Sequence, residues 1–109
     1  VKASRGLGDV YKRQDLTEFI IRYPESEYID AARERLIFLR NLIASSELDG
    51  AEYYMKRGAY LAAANRANYV LKNIPNSTER ERALRILKEA YERLGYDEYA
   101  EKISSFEAN

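Results

Sequence analysis

The residues best suited to chemistry in this chain are pairs of glutamates two or three positions apart. Examples are Glu25/Glu27, Glu79/Glu81 and Glu98/Glu101. Two neighbouring carboxylates can act as general acid and general base when their surroundings differ. Each pair lies among lysines or arginines in a segment that we predict to be exposed, which favours a solvated, ion-paired helix face. We therefore predict that the chain is not an enzyme.

The sequence contains no cysteine and no histidine. Cysteine is needed for disulfides, thiolate catalysis and zinc–sulfur sites, and histidine is the commonest general base and metal ligand. No glycine-rich phosphate loop follows a strand, because no strands are predicted. We therefore expect no cofactor, no metal ion and no small-molecule substrate.

Four tyrosines near the middle of the chain could form a stacking platform for nucleic-acid bases: Tyr53, Tyr54, Tyr60 and Tyr69. Their helical spacing favours a role as filler between helices. The chain has 18 basic and 18 acidic residues and a formal net charge of zero, so no basic face is expected to hold a phosphate backbone. We predict no nucleic-acid partner.

One polar pair stands out in the first hairpin, Asn65 and Arg66, which follow three consecutive alanines. Arg66 could be a rim residue that covers apolar surface with its stem. It could equally pair a carboxylate bidentately in a partly dry interface. Arg57 and Tyr69 are weaker candidates from the same neighbourhood, and Tyr69 could equally be a core residue.

The stretch that positions these side chains has the pattern of two short helices joined at Gly58. Tyr54 lies four residues before this glycine, Ala63 five after it and Pro75 seventeen after it. This spacing is typical of a tetratricopeptide (TPR) hairpin. The tyrosine fills the space between the helices, the glycine forms the tight turn, the alanine permits close approach, and the proline ends the second helix.

A second hairpin repeats the first. Tyr91 precedes Gly95 by four residues and Ala100 follows it by five, and Gly95 lies 37 residues after Gly58. The usual TPR period is about 34 residues. The sequence therefore predicts an all-α fold of TPR-type helical hairpins, an α-α superhelix with about five helices.

One of these helices is predicted to be long, from about Glu27 to Arg57, with a break near Ser45 as the alternative. A helix of ordinary repeat length would start near Ala44. After Pro75, we predict a capping box of Thr78 and Glu81 at the start of the next helix.

Residues 1–14 have no helical apolar period and contain two of the five glycines. We interpret them as a leader that is foreign to the domain or disordered. Residues 15–109 are predicted to form the TPR domain, which comprises the tail of one repeat and two hairpin repeats.

The amino-acid sequence within the repeats is more specific than the TPR pattern. The runs AEYYMKRGAYLAAANRANYVLKNIPNS and ALRILKEAYERLGYDEYAEK, with FIIRYPESEYIDAARERLIFLRNLIASSE upstream, resemble the last third to half of the BamD (ComL) family. These are outer-membrane lipoproteins of the β-barrel assembly machinery (BAM complex). The resemblance covers about residues 15–109 and implies five TPRs in a complete protein, with the lipid-carrying cysteine and the N-terminal repeats outside this sequence.

The resemblance also implies a function and a site. It implies a non-catalytic scaffold at the periplasmic face of the bacterial outer membrane, held there through the lipid anchor alone. In that family the residues matching Asn65 and Arg66 lie on the surface that meets the last POTRA domain of BamA. Arg57 and Tyr69 are neighbouring candidates, and other BAM lipoproteins are further candidate partners.

A different class of function also fits the repeat pattern. A generic TPR adaptor would bind an extended peptide in its concave groove. Binding to a POTRA domain or to a short peptide distinguishes the two hypotheses.

Overall fold

The computed structural model describes the backbone of residues 2–107 and the side chains of residues 12–106. These residues form five α-helices and no strand: α1 (Lys2–Arg22), α2 (Ile29–Lys56), α3 (Tyr60–Asn73), α4 (Arg80–Leu94) and α5 (Asp97–Glu107). The prediction of an all-α fold with about five helices, one of them long, is confirmed. None of these described helices contains an apolar stretch of the length that a membrane-spanning segment needs.

The chain divides into two compact units, Val1–Ile43 and Ala44–Asn109. The division falls inside α2, which is a single 28-residue helix without the alternative break near Ser45. The second unit begins at the residue where a helix of ordinary repeat length would start. It contains both glycine turns and all of the candidate site residues.

The first unit holds α1 and the first half of α2. The backbone of α1 is helical from Lys2, although residues 1–14 lack an apolar face in the sequence. The interpretation of residues 1–14 as a foreign or disordered leader, and of 15–109 as the domain, stays a prediction.

The glycines Gly58 and Gly95 terminate α2 and α4 with the same hydrogen-bonded turn. Their φ angles are +78° and +82°, in the left-handed region that glycine adopts without steric cost. In the first turn the Ala59 amide donates to the Tyr54 carbonyl oxygen at 2.9 Å, and in the second the equivalent amide donates to the Tyr91 carbonyl oxygen at 2.9 Å. Each glycine amide also donates, at 3.1 Å, to the carbonyl three residues earlier. Both turns are therefore Schellman motifs.

The core of the second unit is built from residues of successive helices. Leu48 of α2, Val70 of α3 and Leu87 of α4 are the largest fully buried side chains there. The repeat alanines, Ala63 and Ala100, are buried at 0% and 4% exposure. Helix α3 packs on α4 and α4 packs on α5, because small residues on the core faces allow the backbones to come close.

The two proline turns are also built alike. The amide of Ser26 donates to the carbonyl three residues earlier at 3.1 Å, and the amide of Ser77 does the same at 3.3 Å. Each serine hydroxyl then accepts a hydrogen bond from the amide two residues further on, at 3.2 Å and 3.3 Å. Pro24 and Pro75 thus precede equivalent serine turns that end one helix and lead into the next.

The predicted capping box of Thr78 and Glu81 stays a prediction, and α4 starts one residue later than that box implies. The N-cap residue of this helix is Glu79, and its side chain makes no capping hydrogen bond. The box would require the helix to start one residue earlier, with Thr78 at the N-cap. Instead the buried hydroxyl of Ser77 accepts the hydrogen bond from the Glu79 amide, so the proline turn sets the start of α4.

Replacing either turn glycine by alanine is expected to lower the free energy of unfolding by about 1–2 kcal/mol, because an L-residue is strained at positive φ. A Cβ atom at Gly58 or Gly95 would meet no other atom within 4 Å, so the loss would come from the backbone alone. Urea denaturation of Gly58→Ala and Gly95→Ala measures it. Gly58→Asn is the control and should lose less, since asparagine tolerates this conformation. Equal stability of Gly58→Ala and the parent chain would contradict the turn assignment.

Candidate protein-interaction site

The side chain of Arg66 lies across helix α2. Its Nη1 atom is 3.4 Å from Oε2 of Glu47, and its Cζ atom is 5.2 Å from the ring centroid of Tyr54. Glu47 and Tyr54 are seven positions apart, so they share one face of α2 two turns apart. The side chain of Arg66 keeps 40% of its surface exposed, which makes it a partly buried cation within reach of a partner.

Gly50 lies beneath this guanidinium. A Cβ atom at position 50 would lie 2.9 Å from Nη1 of Arg66 and 3.3 Å from its Cδ and Cζ atoms. A glycine inside a helix costs about 1 kcal/mol relative to alanine. The close approach of Arg66 explains why position 50 is a glycine, because any side chain there would displace the arginine. We call the three α2 residues Glu47, Gly50 and Tyr54 the Arg66 seat.

The second hairpin has no counterpart of this polar arrangement. At 37 residues after Glu47, Gly50 and Arg66, the chain has buried apolar residues: Leu84, Leu87 and Ile103. Only the tyrosine of the seat is repeated. Apolar packing is therefore sufficient for a hairpin of this fold, and the glutamate, glycine and arginine of the first hairpin call for another explanation.

Arg57 is an exposed residue in the first glycine turn. Its Nη1 atom donates a hydrogen bond to the Tyr53 hydroxyl at 3.0 Å, and its Cζ atom lies 5.4 Å from the centroid of that ring. The rings of Tyr53 and Tyr54 are 5.6 Å apart in an edge-to-face arrangement. Two candidate arginines are thus linked through two tyrosines, in the order Arg57, Tyr53, Tyr54, Arg66.

Asn65 and Tyr69 are both exposed and lie one turn apart on α3, with exposed Leu61 one turn before them. Tyr69 has 41% of its surface exposed, which places it on the surface and not in the core. We call Leu61, Asn65 and Tyr69 the α3 outer face. The structure therefore brings Asn65 and Tyr69 together, with Arg66 at the edge of this face towards α2.

A second group of charges, centred on Arg82 of α4, was missed from the sequence. Its Nη2 atom is 2.7 Å from Oδ1 of Asp49 and 3.0 Å from Oε2 of Glu52, and its Nη1 atom is 3.4 Å from Oε2 of Glu79. The Arg82 side chain is 20% exposed. Asp49 and Glu52 lie on α2, some thirty positions earlier in the chain, so no i,i+4 spacing could indicate these contacts.

The titration of this group follows from its geometry. The hydrogen bond from Arg82 lowers the pKa of Glu52, against the smaller opposing effect of partial burial. Hydrogen bonds to the carboxylates, that of Glu52 foremost, raise the pKa of the Arg82 guanidinium further above its ordinary value. Arg82 therefore stays charged, and its ion pairs with Asp49 and Glu52 connect the last part of α2 to α4.

The glutamates and tyrosines that were considered for chemistry are either exposed or in contact with other side chains of the fold. Glu79 forms an ion pair with Arg82. The other five glutamates of the three sequence pairs named above are exposed. Tyr54 and Tyr60 are half-buried, and Arg93 lies 6.0 Å from the Tyr60 ring centroid. Among the residues that the structure describes, no group of three acidic side chains could hold a metal ion.

Replacing Arg82 by methionine, which keeps the stem and removes the charge, is expected to lower the free energy of unfolding by about 1–2 kcal/mol at pH 7. Because the folded-state pKa of Glu52 is depressed, its contribution is present above its ordinary pKa of 4.5 and is lost as pH falls through the folded value. The difference between the variant and the parent chain should therefore shrink at about pH 3. Urea denaturation at both pH values measures it, with Arg85→Met, an exposed change on the same helix, as control. A difference that does not depend on pH would contradict the ion-pair assignment.

Comparison with known proteins agrees with the sequence resemblance. The model of the outer membrane lipoprotein family YfiO matches residues 10–106. The outer membrane protein assembly factor BamD of Neisseria meningitidis serogroup A is 40% identical over 87 residues, which are 80% of this chain and 33% of that protein. BamD of Vibrio cholerae is 34% identical over 88 residues, which are 81% of this chain and 36% of that protein.

BamD of Xylella fastidiosa is 40% identical over 81 residues, which are 74% of this chain and 28% of that protein. This chain thus spans about a third of the length of the curated relatives it matches. The family model spans nearly the whole chain and begins five residues before the predicted domain boundary at Asp15. The chain therefore belongs to the BamD/YfiO family of outer membrane lipoproteins.

Proposed function

We propose that this chain is a non-catalytic scaffold of the outer-membrane β-barrel assembly complex, and that it docks onto the last POTRA domain of BamA. Membership of the BamD/YfiO family supports the proposal, and so do the names of the relatives as outer membrane protein assembly factors. In this proposal the domain works at the periplasmic face of the outer membrane. Other lipoproteins of the complex are further candidate partners.

The observation that carries the proposal is the position of Arg66 beside the α3 outer face. Leu61 and Tyr69 keep 60% and 41% of their surface exposed, on either side of Asn65. Arginine and tyrosine are enriched among the residues that contribute most to protein interfaces. An apolar and aromatic face with a guanidinium at its edge is suited to a partner domain with complementary shape and a carboxylate at the rim.

Electrostatics support a docking role for the arginine in particular. The guanidinium lies against Tyr54 and Glu47, where part of its water shell is already removed. A carboxylate from a partner would meet a partly desolvated cation, whose hydrogen bonds are stronger than those of a fully hydrated one. Arg57 and Tyr53 extend the polar rim through their contact with Tyr54.

No turnover is required by this mechanism. The domain would act by holding its partner in a fixed orientation through shape complementarity and a polar rim. The Arg82 group supports this role, because it fixes the end of α2 that holds Glu47 and Gly50. A rigid surface loses little conformational entropy when it binds.

Arg66→Glu is expected to weaken binding to the last POTRA domain of BamA by about ten- to a hundredfold, since a hydrogen bond to a charged group contributes about 1.5–3 kcal/mol. Isothermal titration calorimetry on this chain and the isolated POTRA domain measures the affinity. Arg85→Glu makes the same charge reversal at an exposed position of α4 and should leave the affinity unchanged.

The charge swap Glu47→Arg with Arg66→Glu separates docking from folding. It restores an ion pair within the hairpin but removes the cation from the position that Arg66 occupies. Binding that stays lost in the swapped chain supports a direct contact with Arg66. Binding that returns would give Arg66 a role in the hairpin alone, and a parent chain that binds a short extended peptide but no POTRA domain would favour the generic TPR adaptor.

A further inference from the structure

The end of the Arg66 side chain lies directly over Gly50 of α2. The atoms nearest a Cβ at position 50 are Nη1, Cδ and Cζ. Among the described hydrogen bonds of Arg66, only Nη1 donates, to Glu47 at 3.4 Å. Nε and Nη2 carry the two parallel N–H bonds that can pair a carboxylate bidentately, and this side of the guanidinium remains for a partner.

Each residue of the Arg66 seat contributes differently to this placement. Glu47 accepts a hydrogen bond from Nη1 at 3.4 Å, the Tyr54 ring centroid lies 5.2 Å from Cζ, and Gly50 leaves the space that the stem and Nη1 fill. An arginine on a free helix face samples many rotamers and loses that freedom when it binds. In the seat, much of this freedom is already lost in the unbound chain.

Gly50 makes the α2 helix less stable than alanine would. This indicates that folding does not require the Arg66 seat. Alanine at position 50 would favour the helix more than glycine does. The second hairpin fills the equivalent positions with Leu84, Leu87 and Ile103 and needs no glycine there. A local departure from what the fold favours is expected where a residue serves a function.

We propose that Glu47, Gly50 and Tyr54 are positioning residues that hold Arg66 in place in the free chain, so that its Nε and Nη2 N–H groups can pair a carboxylate of a partner. This inference rests on the proposed function, because it concerns the arginine assigned there to the interface. The inference adds that the affinity for the partner depends on the three α2 residues of the Arg66 seat, one of which, Gly50, has no side chain.

Gly50→Ala is the decisive variant, because positioning and stability respond to it in opposite directions. The added Cβ would displace the flexible end of Arg66 and not the backbone. The midpoint of thermal unfolding should stay the same or rise. Affinity for the last POTRA domain of BamA should fall about two- to tenfold, the effect of losing one preorganised side chain. Ser46→Ala, an exposed change one turn earlier in α2, is the matched control and should leave the affinity unchanged.

Nuclear magnetic resonance of the arginine Nε–H groups provides a second readout that needs no partner. Arg66 should give a resolved resonance in the parent chain, identified by its loss in Arg66→Lys. Gly50→Ala should move this resonance towards those of the exposed arginines. Glu47→Ala should do the same and lower the affinity, whereas a higher affinity would show that Glu47 competes with the partner and does not position Arg66.

The outcomes separate this inference from the proposed function. If Arg66→Glu abolishes binding while Gly50→Ala changes neither the affinity nor the Arg66 resonance, the seat is refuted and the docking role stands. If the parent chain binds no POTRA domain while the resonance responds to Gly50→Ala, the docking role fails. The seat then remains as the feature that holds Arg66 in place.

Discussion

Each hairpin of the second unit depends on one backbone interaction, the hydrogen bond from the amide after the turn glycine to the carbonyl of the repeat tyrosine. It forms because Gly58 and Gly95 adopt positive φ, which brings the next amide back over the last turn of the helix. The turn fixes where the second helix starts relative to the first. This start in turn determines that Arg66 of α3 meets Glu47 and Gly50 of α2, and that the α3 outer face stays exposed.

Two arginines then use α2 in different ways. Arg82 from α4 is mostly buried among three carboxylates and fastens the structure. Arg66 from α3 has a single carboxylate among its described contacts and remains 40% exposed. The first arrangement satisfies the cation within the fold. The second leaves Nε and Nη2 of the cation without a partner among the described contacts, which is why the proposed interface includes Arg66 and not Arg82.

The sequence predicted what local chemistry determines. The glycine turns, the alanine contacts and the long helix followed from spacing along the chain, since each depends on residues close in sequence. The family followed from the resemblance of whole runs of residues. The seat and the Arg82 group could not be predicted, because they depend on which side chains meet across two helices. The reason for a glycine at position 50 is its close approach to Arg66, which lies 16 residues later on another helix. The start of α4 at Arg80 also depends on the Ser77 turn, whose hydroxyl accepts a hydrogen bond from the Glu79 amide.

The most direct test of the docking surface is a titration of the isotopically labelled chain with the last POTRA domain of BamA, followed through the backbone amide resonances. The account predicts that shifts concentrate on Leu61, Asn65, Arg66 and Tyr69, with smaller shifts at Arg57. Shifts confined to α5, or spread evenly with no maximum on α3, would contradict it.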